Sequence, residues 1–146
     1  MTVRMDNVLI NVEDLEAAIA FFAELGLEVE GRAQVEGDWA GRVVGLENVR
    51  ADIVMMRAPD GSGRVELSKF HTPSAIAAEP RNAPSNTLGI RRIMFAVDDL
   101  DDVIARLRPH GAELVGEVAR YEDVHRLCFV RGPEGIILGL SEHLGS

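Results

Sequence analysis

Apolar side chains first recur at every second residue and then at every third or fourth, and this switch happens twice along the chain. The stretch from Asn7, NVLINVEDLEAAIAFFAELGLEVEG, alternates Val8, Ile10 and Val12 before a stripe at Leu15, Ala18, Ile19 and Phe22. The stretch from Arg92, RIMFAVDDLDDVIARLRPHGAELVG, alternates Ile93, Phe95 and Val97 before Leu100, Val103, Ile104 and Leu107. Period-two alternation predicts a half-buried strand, and i, i+3, i+4, i+7 spacing predicts a helix with one buried face. Asp14 and Asp99 stand where an N-cap carboxylate is expected, and Asp102 adds negative charge near the positive end of the second helix. Gly26 and Gly111 supply the stops. Aligned without a gap, the copies agree at Val12/Val97, Asp14/Asp99, Leu15/Leu100, Ile19/Ile104 and Gly26/Gly111.

Three strand-like segments follow each helix. In the first copy they span 27–34, 49–57 and 63–70, with PDGSG as a turn; in the second, 112–120, 125–131 and 136–142, with GPEG as the turn. EGDWAGRVVGLEN is an insertion in the first copy only, read as a short helix over a sheet edge. The polar run HTPSAIAAEPRNAPSNTLG, with Pro73, Pro80 and Pro84, reads as a connection. The organisation is a βαβββ module over 1–70, a linker over 71–88 and a second βαβββ module over 89–146. A lone module has too little surface to bury. The predicted fold is α+β, two modules pairing into one curved eight-stranded mixed sheet, a cup with helices on its outer face.

Strand parity sorts the side chains, because neighbours point to opposite faces. With Val8, Ile10 and Val12 under the helix, Asn7, Leu9 and Asn11 face the cup. In the second copy Arg92, Met94 and Ala96 do so. On the last strand of each module Glu66, Ser68 and Phe70, and Ile137, Gly139 and Ser141, take the same side. Asn7, Glu66, Arg92 and Gly139 occupy corresponding places.

The paired modules, the V-x-D-L entry to each helix and the P-[DE]-G hairpins resemble the vicinal oxygen chelate superfamily, which includes glyoxalases, bleomycin-resistance proteins, methylmalonyl-CoA epimerases and extradiol dioxygenases. The resemblance covers nearly the whole chain. In metal-using members the first and fourth strands of each module carry the ligands. Here those positions are Asn7, Glu66, Arg92 and Gly139, and only Glu66 keeps a usual ligand type. Arg92 has donors only and repels a nearby cation. The resemblance therefore implies a cup without its usual divalent metal and with no cofactor; the expectation is an Arg92–Glu66 pair, with Asn7, in the metal's place.

Composition narrows the partners. Hydrophobic residues make up 47% and charged residues 27%, ordinary for a globular protein. A net charge of −9 argues against nucleic acid or an anionic membrane. No apolar run reaches the ~20 residues of a membrane span, and no signal sequence opens the chain. The single Cys128 suits a reducing, cytoplasmic setting. A homodimer is expected from the family.

Two function classes follow. One is a binding protein taking a small organic molecule, with Asn7, Asn11, Trp39, Met56, Glu66, Ser68, Arg92, Met94 and Gly139 as the binding set. The other is an enzyme in which Glu66 and Arg92 are catalytic, as general base or acid and as oxyanion stabiliser of a lyase or isomerase. A metal-dependent lyase or dioxygenase using Glu66 with His71 or His125 is the disfavoured third. Trp39 is either a cover for a ligand or a surface contact. His71 and His125 read as solvated loop or strand-end residues, His110 as a helix-end residue, His143 as tail, Tyr121 as surface and Cys128 as core.

Overall fold

The computed structural model describes residues 2–145. They form two compact units that divide between Ile76 and Ala77. Each unit carries one copy of the repeat.

In the first unit the strands are β1 (Val8–Asn11), β2 (Glu28–Glu36), β3 (Arg50–Arg57) and β4 (Arg64–Thr72), in the order β1-β4-β3-β2. β1 runs parallel to β4, and the other pairs are antiparallel. Helix α1 (Leu15–Leu25) starts where the Asp14 carboxylate accepts the Ala17 N–H at 3.0 Å. It ends at Gly26, whose φ of 125° is closed to most side chains. Ala18, Ile19, Phe21, Phe22 and Leu25 are buried, so the predicted stripe is right and wider by Phe21 and Leu25. Beneath it lie Ile10, Val12, Val54, Met56, Val65 and Leu67. The insertion does form a short helix, α2 (Asp38–Val44).

The second unit repeats the plan. Its strands are β5 (Arg92–Ala96), β6 (Glu113–Leu114), β7 (Ala119–Tyr121), β8 (His125–Arg131) and β9 (Ile137–His143). The order is β5-β9-β8-β6, with β7 also on β8 and β5 parallel to β9. Helix α3 (Leu100–Leu107) is capped by Asp99, which accepts the Asp102 N–H at 3.1 Å, and buries all four predicted stripe residues. A 3-10 turn over Arg108–His110 extends it to Gly111.

Two expectations change. The α+β class stands, while among the described residues the strands number nine, one more than the eight predicted, in two mixed sheets. The extra strand arises because the predicted 112–120 strand breaks around Gly116. Leu114 pairs with Val130 and Ala119 with Leu127, so more residues run on one side than the other can match. The connection also differs from a loose linker. β4 runs on through Thr72, and Arg81 ion-pairs with Glu134 at 3.0 Å across the β8–β9 turn.

Candidate functional site

Register fixes what each sheet presents on the face turned away from its helix. In the first unit Leu9, Glu66 and Met55 form one row across β1, β4 and β3, and Asn11, Ser68 and Ile53 form the next. In the second unit Met94, Gly139 and Phe129 form the row matching that of Glu66, followed by Ala96, Ser141 and Leu127. Glu66 and Gly139 are thus equivalent positions, beside Leu9 and Met94 respectively. Asn7 lies one residue before β1 and Arg92 is the first residue of β5, each two residues ahead of its row.

On the first unit's face Glu66 is half-buried and Ser68 is buried at 2% exposure, while Leu9 and Asn11 are exposed. The cation nearest in register is Arg64, two residues before Glu66 on the same side of β4. Arg64 is held by Glu30 at 2.7 Å and Asp6 at 2.6 Å, and its guanidinium is pushed above its ordinary pKa, first by the Glu30 hydrogen bond. The Asn7 amide donates to Asp6 at 3.1 Å. Asn7, Arg64 and Glu66 therefore belong to one polar border with Asp6 and Glu30. Sequence reading passed over Arg64, although its parity with Glu66 was visible.

On the second unit's face the Arg92 guanidinium lies 4.5 Å from the centre of the Phe129 ring. A cation over an aromatic face is held by the ring quadrupole, and more strongly where water is thin. Phe129 was also legible by parity, being two residues from Leu127 and opposite in sense to buried Cys128 and Val130. At Gly139 a Cβ would collide with the Met94 thioether, which lies across the glycine.

Other named residues go elsewhere. Met56 is fully buried under α1 against Val65, and Met55 is the methionine on the Glu66 face. Trp39 is 56% exposed on α2. His71 shares the sense of Leu67 and Lys69 on β4, so it points to the side opposite Glu66 and cannot join it. There its Nε2–H donates to the Asp52 carboxylate at 2.8 Å. That bond, with help from Gln34 and against desolvation, holds the Asp52 carboxyl below its usual range. His125 does lie on the face that carries Arg92 and Gly139. His143 is the last residue of β9, opposite His125, and is not tail. Tyr121 is 59% exposed. Cys128 is buried, and desolvation raises its thiol pKa, as befits a core residue. No helix among the described residues is long and apolar enough to cross a membrane.

The comparisons with known proteins agree with this architecture. A glyoxalase family protein from Bacillus cereus is 57% identical, with a TM-score of 0.93 over 99% of this chain and 97% of that one. The fosfomycin resistance protein FosX from Listeria monocytogenes is similar in fold alone, at 13% identity and a TM-score of 0.62 over 100% of this chain and 93% of that chain. CFP32 of Mycobacterium bovis and Mycobacterium tuberculosis, named as a candidate glyoxylase, is 29% identical over 93 residues. That match takes in 60% of this chain and 36% of CFP32, so the chain spans about a third of its curated relatives. The model of the Glyoxalase/Bleomycin resistance protein/Dioxygenase superfamily matches residues 4–140, and the chain belongs to that superfamily.

Proposed function

We propose that the protein binds a small organic molecule on these sheet faces without a divalent metal at the superfamily's ligand positions. The observation that carries the reading is the donor set at the four places. Gly139 has no side chain, and the Met94 thioether covers the direction in which one would project. Arg92 offers only N–H donors and a fixed positive charge. Asn7 is neutral and its amide is engaged with Asp6. One carboxylate, Glu66, does not make a divalent site, which normally draws on three or more protein ligands. These residues do not fit the metal.

What they fit is an organic ligand of mixed character. On the second unit's face Met94 and Phe129 offer apolar and polarisable contacts beside Arg92, and on the first unit's face Leu9 and Met55 do the same beside Glu66. Arg92 supplies a cation for a carboxylate, phenolate or carbonyl oxygen. Thermal-shift and calorimetric titration with aromatic carboxylic acids and polyketide-like phenols tests this. Saturable binding that Arg92→Ala weakens about tenfold or more supports the reading. Binding that survives Arg92→Ala unchanged, or stoichiometric metal bound through Glu66, refutes it.

A second reading is favoured by one observation, the half-buried carboxylate of Glu66 between Leu9 and Met55 in its row. In that reading Glu66 moves a proton and Arg92 stabilises the enolate or oxyanion of a metal-independent lyase or isomerase. Glu66→Gln then abolishes turnover while leaving ligand affinity nearly intact. In a pure binder the same change has no turnover to remove.

A further inference from the structure

We propose that the ligand bound at Arg92 carries two negative charges in its acid group, and that Arg131 is the second anchor of that group. The inference rests on the proposed binding at Arg92 and narrows the class of molecule taken there. Register puts both arginines on one row of the second unit's sheet. Arg92 on β5 and Arg131 on β8 each pair with Ile137 of β9, so all three share the face that carries Gly139 and Phe129. Two strand spacings separate the arginine backbones by about 10 Å.

The Arg92 side chain spans much of that gap. Its guanidinium reaches over β9 to Phe129 of β8, 4.5 Å from the ring centre. Phe129 is two residues from Arg131 on the same strand and has the same sense. Arg92 is thus drawn toward the second arginine. Arg131 is half-buried, and its Nη1–H donates to the Gly135 carbonyl at 2.9 Å. That bond fixes the guanidinium and leaves most of its N–H donors unused. A planar donor fork held in advance loses little freedom on taking an oxyanion.

The repeat supplies a contrast. Arg131 on β8 corresponds to Arg57 on β3, and each pairs across the ladder with a glutamate, Glu113 or Glu28. In the first unit Arg57 and Glu28 form an ion pair at 3.7 Å, and Arg64, in the middle of the row, is held by Asp6 and Glu30. In the second unit Ile137 takes the middle place. Neither Arg92 nor Arg131 is in an ion pair among the described residues; one rests on a ring and the other on a carbonyl. In a chain of net charge −9, two uncompensated cations on one row favour an anion. Each guanidinium can give a bidentate, charge-assisted contact, which a doubly charged head group uses in full and a single carboxylate does not. A phosphate monoester and a pair of adjacent carboxylates share that chemistry.

Calorimetric titration of the full chain at about pH 8, where a phosphate monoester is a dianion, tests the proposal with two matched pairs of probes. Phenyl phosphate is set against phenyl sulfate, and phthalate against benzoate, a dianion against a monoanion of similar body each time. At least one dianion is expected to bind about tenfold or more tighter than its partner. The pair in which this happens tells a phosphoryl head from a dicarboxylate. Arg131→Gln drops the charge but keeps a donor for the Gly135 carbonyl, and Arg131→Met keeps the apolar stem. Both are expected to remove the preference while leaving monoanion affinity within about threefold. The proposal is overturned by dianions no tighter than their monoanionic partners, or by a preference that survives both Arg131 variants. In either case monoanion binding that Arg92→Ala weakens leaves the single-cation reading standing. Absence of saturable binding of all four probes up to about 10 mM overturns both.

Discussion

At the scale of single residues, two neighbours decide more than residue type does. Gly139 reads in the sequence as a lost ligand. The structure adds that Met94 has moved into the space, so a side chain there meets a thioether before it meets a ligand. Gly139→Ala is expected to cost about 1 kcal/mol, at the low end of overpacking because a methionine can swing aside. On a Met94→Ala background the same change is expected to cost close to nothing. Urea denaturation of the two single variants and the double variant measures that coupling.

The His71–Asp52 pair is a second case. Asp52 is held below its ordinary range, so its bond stabilises the fold wherever the carboxyl is ionised in both states. That contribution is lost as pH falls through the depressed folded value, below about pH 4. Asp52→Asn is expected to lower stability at pH 7 to 8, where the contribution is fully present, and to flatten this acid limb, read from urea midpoints against pH. Parity alone could have placed His71 on the α1 side, since it is two residues from Lys69. A position just past a predicted strand end gave no reason to extend the alternation. Met56 went wrong for the opposite reason. In MM both residues are apolar, and only pairing with Val65 says which one is core.

At the scale of elements, the helices were the most legible part. The two repeat helices, α1 and α3, each have a stripe, a capping aspartate and a glycine stop, three local signals that agree. Asp99→Ala removes the acceptor of the Asp102 N–H, which is expected to cost about 1 kcal/mol. For a chain of this size that is about 3 °C in Tm by scanning calorimetry. An unchanged Tm would mean that another group takes over the cap. The strands were less legible where pairing overrides pattern. Nothing local says that 112–120 breaks in two, because the break is set by how many residues of β8 remain to pair. Polar composition likewise marked the connection as a linker, while the Arg81–Glu134 contact that fixes part of it depends on a distant turn.

At the scale of the whole molecule, the duplicated pattern is an energetic statement as well as an evolutionary one. If the two units are physical copies, equivalent core positions should contribute alike. Leu67 stands between Ile10 and Val54 under α1, and Leu140 stands between Phe95 and Cys128 under α3. Both leucines are at 0% exposure. Truncating a leucine so enclosed removes its transfer free energy and leaves a cavity, together about 2–5 kcal/mol. Total stabilities run only to about 5–15 kcal/mol, so either loss is large. The flanks differ, because Phe95 is half-buried whereas Ile10 is buried, which makes the Leu140 site somewhat easier to collapse. Leu67→Ala and Leu140→Ala are therefore expected to lower the urea midpoint by comparable amounts, with Leu67→Ala the costlier by at most about 1 kcal/mol. A gap of several kcal/mol between them would show that the repeat in the sequence has been kept for shape while one unit carries most of the stability.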